Sequence, residues 1–210
     1  DLNVTANQLS ELDLSNNLDL TNLYCELNQL SALNVSSNSS LSKIYCSGNQ
    51  LTSLDVSSNE ALIDLRIDDN QLSSLDVSSN PNLAILLCHN NQISDLTLNT
   101  NIQNLYCGSN QLTSLDVSQT DLTIFNCAGN QLTYLNIKSL ETKLNSFYAS
   151  SNFLNCIETL DPSWASENWT YENGSIDEDV TFDVICNSEA RTGWYVSTTG
   201  SDLFGSGTTE

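Results

Sequence analysis

Leu51–Gln71 reads LTSLDVSSNEALIDLRIDDNQ, and Leu72–Gln92 reads LSSLDVSSNPNLAILLCHNNQ. Both segments open on LxSLDVSSN, and the second follows the first without a gap, so a 21-residue unit repeats. Inside each unit the pattern L-x-x-L-x-(L/V/C)-x-x-N occurs twice, with Ile67 as one variation. Leucines therefore return every ten or eleven residues within the longer beat. A single unit has an apolar edge that it cannot bury alone, so successive units must stack into one continuous core. That makes a solenoid, and the repeats run outward from this stretch over about residues 2–154.

Aligned units give columns, and each column has a physical role. Asn7, Asn28, Asn49, Asn70, Asn91, Asn110, Asn130 and Asn152 hold one position in eight successive turns. A buried Asn there is expected to bond backbone groups left unpaired by a tight bend, and to bond the Asn of the next coil. A second ladder, Asn17, Asn38, Asn59, Asn80 and Asn101, marks the half-repeat bend and fails at Thr120. Leu23, Ile44, Leu65, Leu86, Leu105, Phe125 and Phe147 form one interior column; Leu12, Leu33, Leu54, Leu75, Leu96, Leu115 and Leu135 form another. Segments such as Leu-Tyr-Cys alternate in, out, in, as a strand does. Stacked in register they make a parallel sheet, with the first and last of eight strands roughly 34 Å apart.

Lys plus Arg number 5 against 26 Asp plus Glu, a formal net charge of −21. Such a chain repels phosphate backbones, which argues against nucleic acid and anionic membrane surfaces as partners. No apolar run approaches the length of a membrane span, so membrane insertion is not expected. The chain begins at Asp1 and contains no Met, which reads as a mature or trimmed fragment.

The repeated text resembles the bacterial leucine-rich repeats with nested periodicity, the IRREKO class, whose units read LxxLxCxxNxLxxLDLxxNxx. The clearest instance is LSKIYCSGNQLTSLDVSSNEA, Leu41–Ala61. The resemblance implies a solenoid that is α/β by class but mostly β: a right-handed coil of about eight turns, a parallel sheet on one face, and a C-terminal cap. The implied organisation is a solenoid over 1–154, a cap over 155–190, and a linker or following domain over 191–210. Two turns depart from the pattern. Leu83–Thr100 loses two residues, and Leu122–Lys143 gains one and replaces the second bend with KSLETK.

Cys25, Cys46, Cys88, Cys107 and Cys127 share a column with Val4, Ile67 and Ala149. A position that accepts Val, Ile and Ala takes a small apolar side chain, and a free thiol behaves as one. Their spacing matches no zinc pattern, so no metal and no cofactor are expected. Cys156 and Cys186 lie beyond the last leucine turn. The resemblance implies that these two form the disulfide of an end cap, and the segment between them is similar to caps of secreted repeat proteins from the Bacteroidetes. Such a bridge places the chain outside the cytoplasm, secreted or at the cell surface. Beyond it, WYVSTTGSDLFGSGTTE (Trp194–Glu210) resembles the opening strand of pectate-lyase-like parallel β-helix proteins; a flexible Gly/Ser/Thr tail is the alternative.

The LxxLDVSSN half is nearly constant, its Asp and Ser serving bends and solvation, whereas the other half varies between its fixed leucines. The central outward column of that variable half reads Tyr24, Tyr45, Arg66, Leu87, Tyr106, Asn126 and Tyr148. Tyr is favoured at binding surfaces and also stacks on sugar rings, although a row of aromatics on parallel strands also supports itself. Lys43, Arg66 and His89 fall on a diagonal that suits an anionic group, with pairing to Asp64 and Asp68 as the alternative. The candidate ligand-binding residues are thus Tyr24, Lys43, Tyr45, Arg66, Leu87, His89, Tyr106 and Tyr148. Asp55 and Asp76 stack at strand spacing, where a Ca²⁺ ion would relieve repulsion; solvated carboxylates are the plainer reading.

No nucleophile motif, phosphate loop or cleft is evident, so catalysis is not expected. The sequence reads as a non-enzymatic recognition module for a protein or a polysaccharide. The alternative is a rigid spacer or self-association module, a homo-oligomer, next to a polysaccharide-acting domain.

Overall fold

The computed structural model describes residues 1–138 and 144–186. The turn replacement over 139–143 and the β-helix-like string Trp194–Glu210 lie outside the described residues. Each coil contributes one short strand from its variable half, two residues long in the first and three in the others. These are β1 (Leu2–Asn3), β2 (Asn22–Tyr24), β3 (Lys43–Tyr45), β4 (Asp64–Arg66), β6 (Ile85–Leu87), β8 (Asn104–Tyr106), β10 (Ile124–Asn126) and β12 (Ser146–Tyr148). They form one eight-stranded parallel sheet in that order. Leu23, Ile44, Leu65, Leu86, Leu105 and Phe125 are fully buried beneath it, in unbroken register from coil to coil.

The constant half also makes strands, which the sequence reading had treated as bends. β5 (Ser74–Asp76) pairs with β7 (Asp95–Thr97). A separate sheet runs β14 (Thr181–Asp183), β13 (Cys156–Glu158), β11 (Tyr134–Asn136), β9 (Ser114–Asp116). The second wall is interrupted between β7 and β9, where the chain is two residues short.

The asparagine ladders bond the backbone groups of the bends, as expected, and they join coils through backbone atoms. Asn70 donates from Nδ2 to the carbonyls of Ile67 (3.2 Å) and Asp68 (3.2 Å) in its own coil, and of Cys46 (3.0 Å) in the coil before. Its Oδ1 accepts from Leu51 N at 2.9 Å. Asn28, Asn49, Asn91 and Asn110 repeat this arrangement. The side chain thus stitches backbone to backbone across two coils. In the second ladder Asn59 Nδ2 reaches the carbonyls of Asn38 (2.9 Å) and Val35 (3.1 Å), and Asn80 repeats this one coil later. The next member is Asn99, not Asn101: Asn99 is buried and donates to the Asn80 and Leu83 carbonyls, whereas Asn101 is exposed. Thr120 then closes its own bend through Oγ1 to the Val117 carbonyl at 2.7 Å.

The far end is covered by a cap. Helix α1 (Pro162–Asn168) starts on Asp161, whose side chain accepts from Trp164 N, with Pro at its first turn, where a missing amide costs nothing. Trp169 is buried and packs against Phe147 of the last leucine coil, 4.8 Å between tilted ring centroids. Asp177 accepts from Ser151 N (2.7 Å) and Asn152 N (3.0 Å), tying the cap to the final bend. Cys156 and Cys186 form a disulfide. Closing a loop of this length stabilises by roughly 3–4 kcal/mol on the chain-entropy view.

Cys25, Cys46, Cys88, Cys107 and Cys127 are free and buried. Burial pushes the Cys25 and Cys107 thiols up to about 12 and the other three well above the ordinary range. All five are therefore protonated and unreactive in the folded chain. Alkylation followed by mass spectrometry should label no cysteine in the native protein, five after unfolding alone, and all seven after unfolding with reduction. Labelling of Cys156 without reduction would contradict the bridge.

Candidate functional site

Strand register places Tyr24, Tyr45, Arg66, Leu87, Tyr106, Asn126 and Tyr148 in one outward row. The first half of this row is built as a unit. The Tyr24 and Tyr45 rings meet edge to face at 5.1 Å, and the Arg66 guanidinium sits 4.2 Å above the Tyr45 ring. Arg66 donates to Asp64 through Nε (3.2 Å) and Nη2 (3.0 Å), and the Tyr45 hydroxyl donates to Asp64 Oδ2 at 2.6 Å. Asp64 is buried at their centre. Burial, reinforced by the bond to Asp64, pushes the Tyr45 phenol up to about 12. The second half of the row is looser: Leu87 and Tyr106 are half-buried, and Tyr148 is exposed. Leu87 is therefore less available than an exposed leucine would be.

The basic diagonal is unevenly occupied. Arg66 is already paired with Asp64, the intramolecular alternative that the sequence allowed. His89 faces Asp68, with Nε2 to Oδ2 at 3.8 Å. Lys43 makes no ion pair among the described residues.

Asp55 and Asp76 show no sign of mutual repulsion. Each accepts from the backbone amide two residues on, Ser57 and Ser78, at 2.9 Å. The hydroxyl and amide of these serines hold both carboxyls below their ordinary value, the opposite of what like-charge crowding does. Folded Asp55 and Asp76 thus bind protons less readily than in the unfolded chain. The stability they contribute is complete above the usual carboxylate range near about pH 4 and is lost as pH falls below it. Asn34 holds the same turn, accepting from Ser36 N at 3.1 Å, so Asp55→Asn/Asp76→Asn should keep the fold. In urea melts the double variant is expected to lose less stability than the parent between about pH 5 and about pH 2.5. Equal losses would contradict the assignment.

Two arrangements escaped the sequence reading. The interruption between β7 and β9 leaves a groove lined by Asp95, Leu98, Thr100, Asp116, Gln119 and Tyr134, at the coil the sequence shows to be two residues short. Beside it, Lys138 Nζ donates to Glu158 Oε2 at 2.7 Å, and Asn136 Nδ2 donates to Asp116 Oδ2 at 3.0 Å. The signal for this network was LTYLNIK (Leu132–Lys138) standing where other coils read LxxLDVS.

No protein-family description and no curated protein matches the sequence. Solved structures do. The functional domain of InlJ from Listeria monocytogenes, described as including a cysteine ladder, superposes with a TM-score of 0.56 at 27% identity over 87% of this chain. The internalin InlF from Listeria monocytogenes superposes with a TM-score of 0.58 at 23% identity over 83%. The fold is a leucine-rich-repeat solenoid. This leucine-rich-repeat chain spans about half the length of those structures, 48% and 50%. Among its described residues no helix is long and apolar enough to cross a membrane.

Proposed function

We propose that the chain is a non-enzymatic recognition module of a secreted or cell-surface bacterial protein, binding a protein or a polysaccharide through the outward face of the eight-stranded sheet. One observation carries this reading. The interior columns and bend asparagines repeat coil after coil, while the outward row changes chemistry at almost every step. A surface that varies on an invariant frame is suited to recognition. The similarity to internalin structures supports a protein ligand, and the Cys156–Cys186 bridge supports an oxidising compartment.

A second reading, a rigid spacer or self-association module, is favoured by the closed Tyr45–Asp64–Arg66 cluster, whose polar groups already satisfy one another. The test is a binding panel of neutral and anionic polysaccharides and surface proteins, run with the parent, Tyr45→Ala/Arg66→Ala, and Tyr106→Ala/Tyr148→Ala. Binding that either face variant weakens by about tenfold, about 1.4 kcal/mol, supports recognition. Binding untouched by both variants would place the contact elsewhere.

A further inference from the structure

We propose that Asp68, Asp69 and His89 form a binding site for a borderline divalent transition-metal ion of the Zn²⁺ type, a property beyond the recognition role. The three residues come from neighbouring coils, joined where Asp69 N donates to the His89 carbonyl at 3.1 Å. One ligand atom from each lies within 4.8 Å of the others. His89 Nε2 and Asp68 Oδ2 are 3.8 Å apart, too far for a hydrogen bond, which needs about 2.7–3.2 Å. The gap is close to the ~3.4 Å that separates two ligands on a tetrahedral ion with bonds of ~2.1 Å.

The surroundings are those of oriented ligands. Ser47 Oγ donates to Asp68 Oδ1 at 2.6 Å, and Asn90 Nδ2 donates to Asp69 Oδ1 at 2.9 Å. Each carboxylate is thereby held through one oxygen, with the second left over, the arrangement that partners around a metal impose on its ligands. The imidazole supplies an independent observation. His89 Nδ1 is buried with no hydrogen-bond partner, and Nε2 makes only the long approach to Asp68. Nε2, the nitrogen that faces Asp68 and has no hydrogen bond, is therefore open to take an ion. One imidazole with two carboxylates selects Zn²⁺, Co²⁺ or Ni²⁺ over Ca²⁺ and Mg²⁺, which take oxygen ligands. Asp69 is exposed and the His89 side chain is 35% exposed, so the ion is reachable and water completes its coordination. The strong negative charge of the chain raises the local cation concentration.

The experiment is a Co²⁺ titration of the chelator-treated full chain, followed by visible absorption and by competition with Zn²⁺. The expected result is one site in the micromolar range, with visible ligand-field bands and no thiolate-to-metal charge-transfer band. His89→Ala should weaken it by more than about tenfold, and Ser47→Ala, whose hydroxyl bonds Asp68, by about tenfold. Both variants should keep the far-ultraviolet circular dichroism of the parent. The proposal is overturned by no Co²⁺ or Zn²⁺ binding below millimolar concentration, by unchanged affinity in His89→Ala, or by a thiolate band, which would move the metal to the buried cysteines.

Discussion

Asn70→Ala is expected to destabilise the solenoid by about 3–5 kcal/mol, more than any exposed substitution in the chain. The reason is one orphaned amide together with three carbonyls that each lose one of two donors. The side chain serves the carbonyls of Cys46, Ile67 and Asp68 and the amide of Leu51, all at 2.9–3.2 Å. Asn70 is buried, and without it Leu51 N has no acceptor, which costs about 1–3 kcal/mol. The Cys46, Ile67 and Asp68 carbonyls keep Asn49 Nδ2, Asn91 Nδ2 and Gly48 N and lose about 0.5–1.5 kcal/mol each. Because coils touch only their neighbours, the damage should be local as well as large. Hydrogen exchange should show lost protection at Leu51 N with the ends of the stack little changed. The control is Asn101→Ala: Asn101 is exposed, and its loss should fall within about 0.5 kcal/mol. Equal effects at the two positions would refute the ladder assignment.

Trp169→Ala should cost a similar amount, about 3–5 kcal/mol, but with a different pattern. Its ring joins Phe147 of the last leucine coil at 4.8 Å, Trp164 of α1 at 5.0 Å, and Phe182 of β14 at 6.0 Å. Removing it leaves a cavity where the cap meets the stack, so unfolding should start at the C-terminal coil and run inward. Limited proteolysis would read this as earlier cleavage after residue 147 than before it. Cleavage beginning near β1 would mean that the cap does not protect the open end.

The interior was legible because a solenoid writes the same instruction many times. Leu23, Ile44, Leu65 and Leu86 stand 21 residues apart, and the sheet register follows directly. Asn101 in place of Asn99 shows where that stops. Counting forward five residues from Leu96, as from Leu75 to Asn80, reaches Asn101; counting back three from Ile102, as from Leu83 to Asn80, reaches Asn99. A two-residue deletion makes the two counts disagree. Burial decides for Asn99, whose Nδ2 reaches the Asn80 and Leu83 carbonyls of the coil before.

The outward row was equally legible as positions but not as contacts. Spacing put Tyr45, Asp64 and Arg66 on one face; it did not say that Arg66 would turn onto Tyr45 and Asp64, which depends on side-chain rotamers. The second sheet was missed because LDV flanked by Ser and Asn reads as a bend. There the carboxylates cap turns as expected, while the backbone between them pairs as well.

The central claim is that the eight-stranded sheet presents an open recognition face on a single chain. Multi-angle light scattering combined with nitration of surface tyrosines tests it most directly. The expected result is the mass of one chain at all concentrations, with Tyr148 nitrated first among the tyrosines of the row. A stable dimer in which Tyr24, Tyr106 and Tyr148 are protected would contradict it and assign the face to self-association.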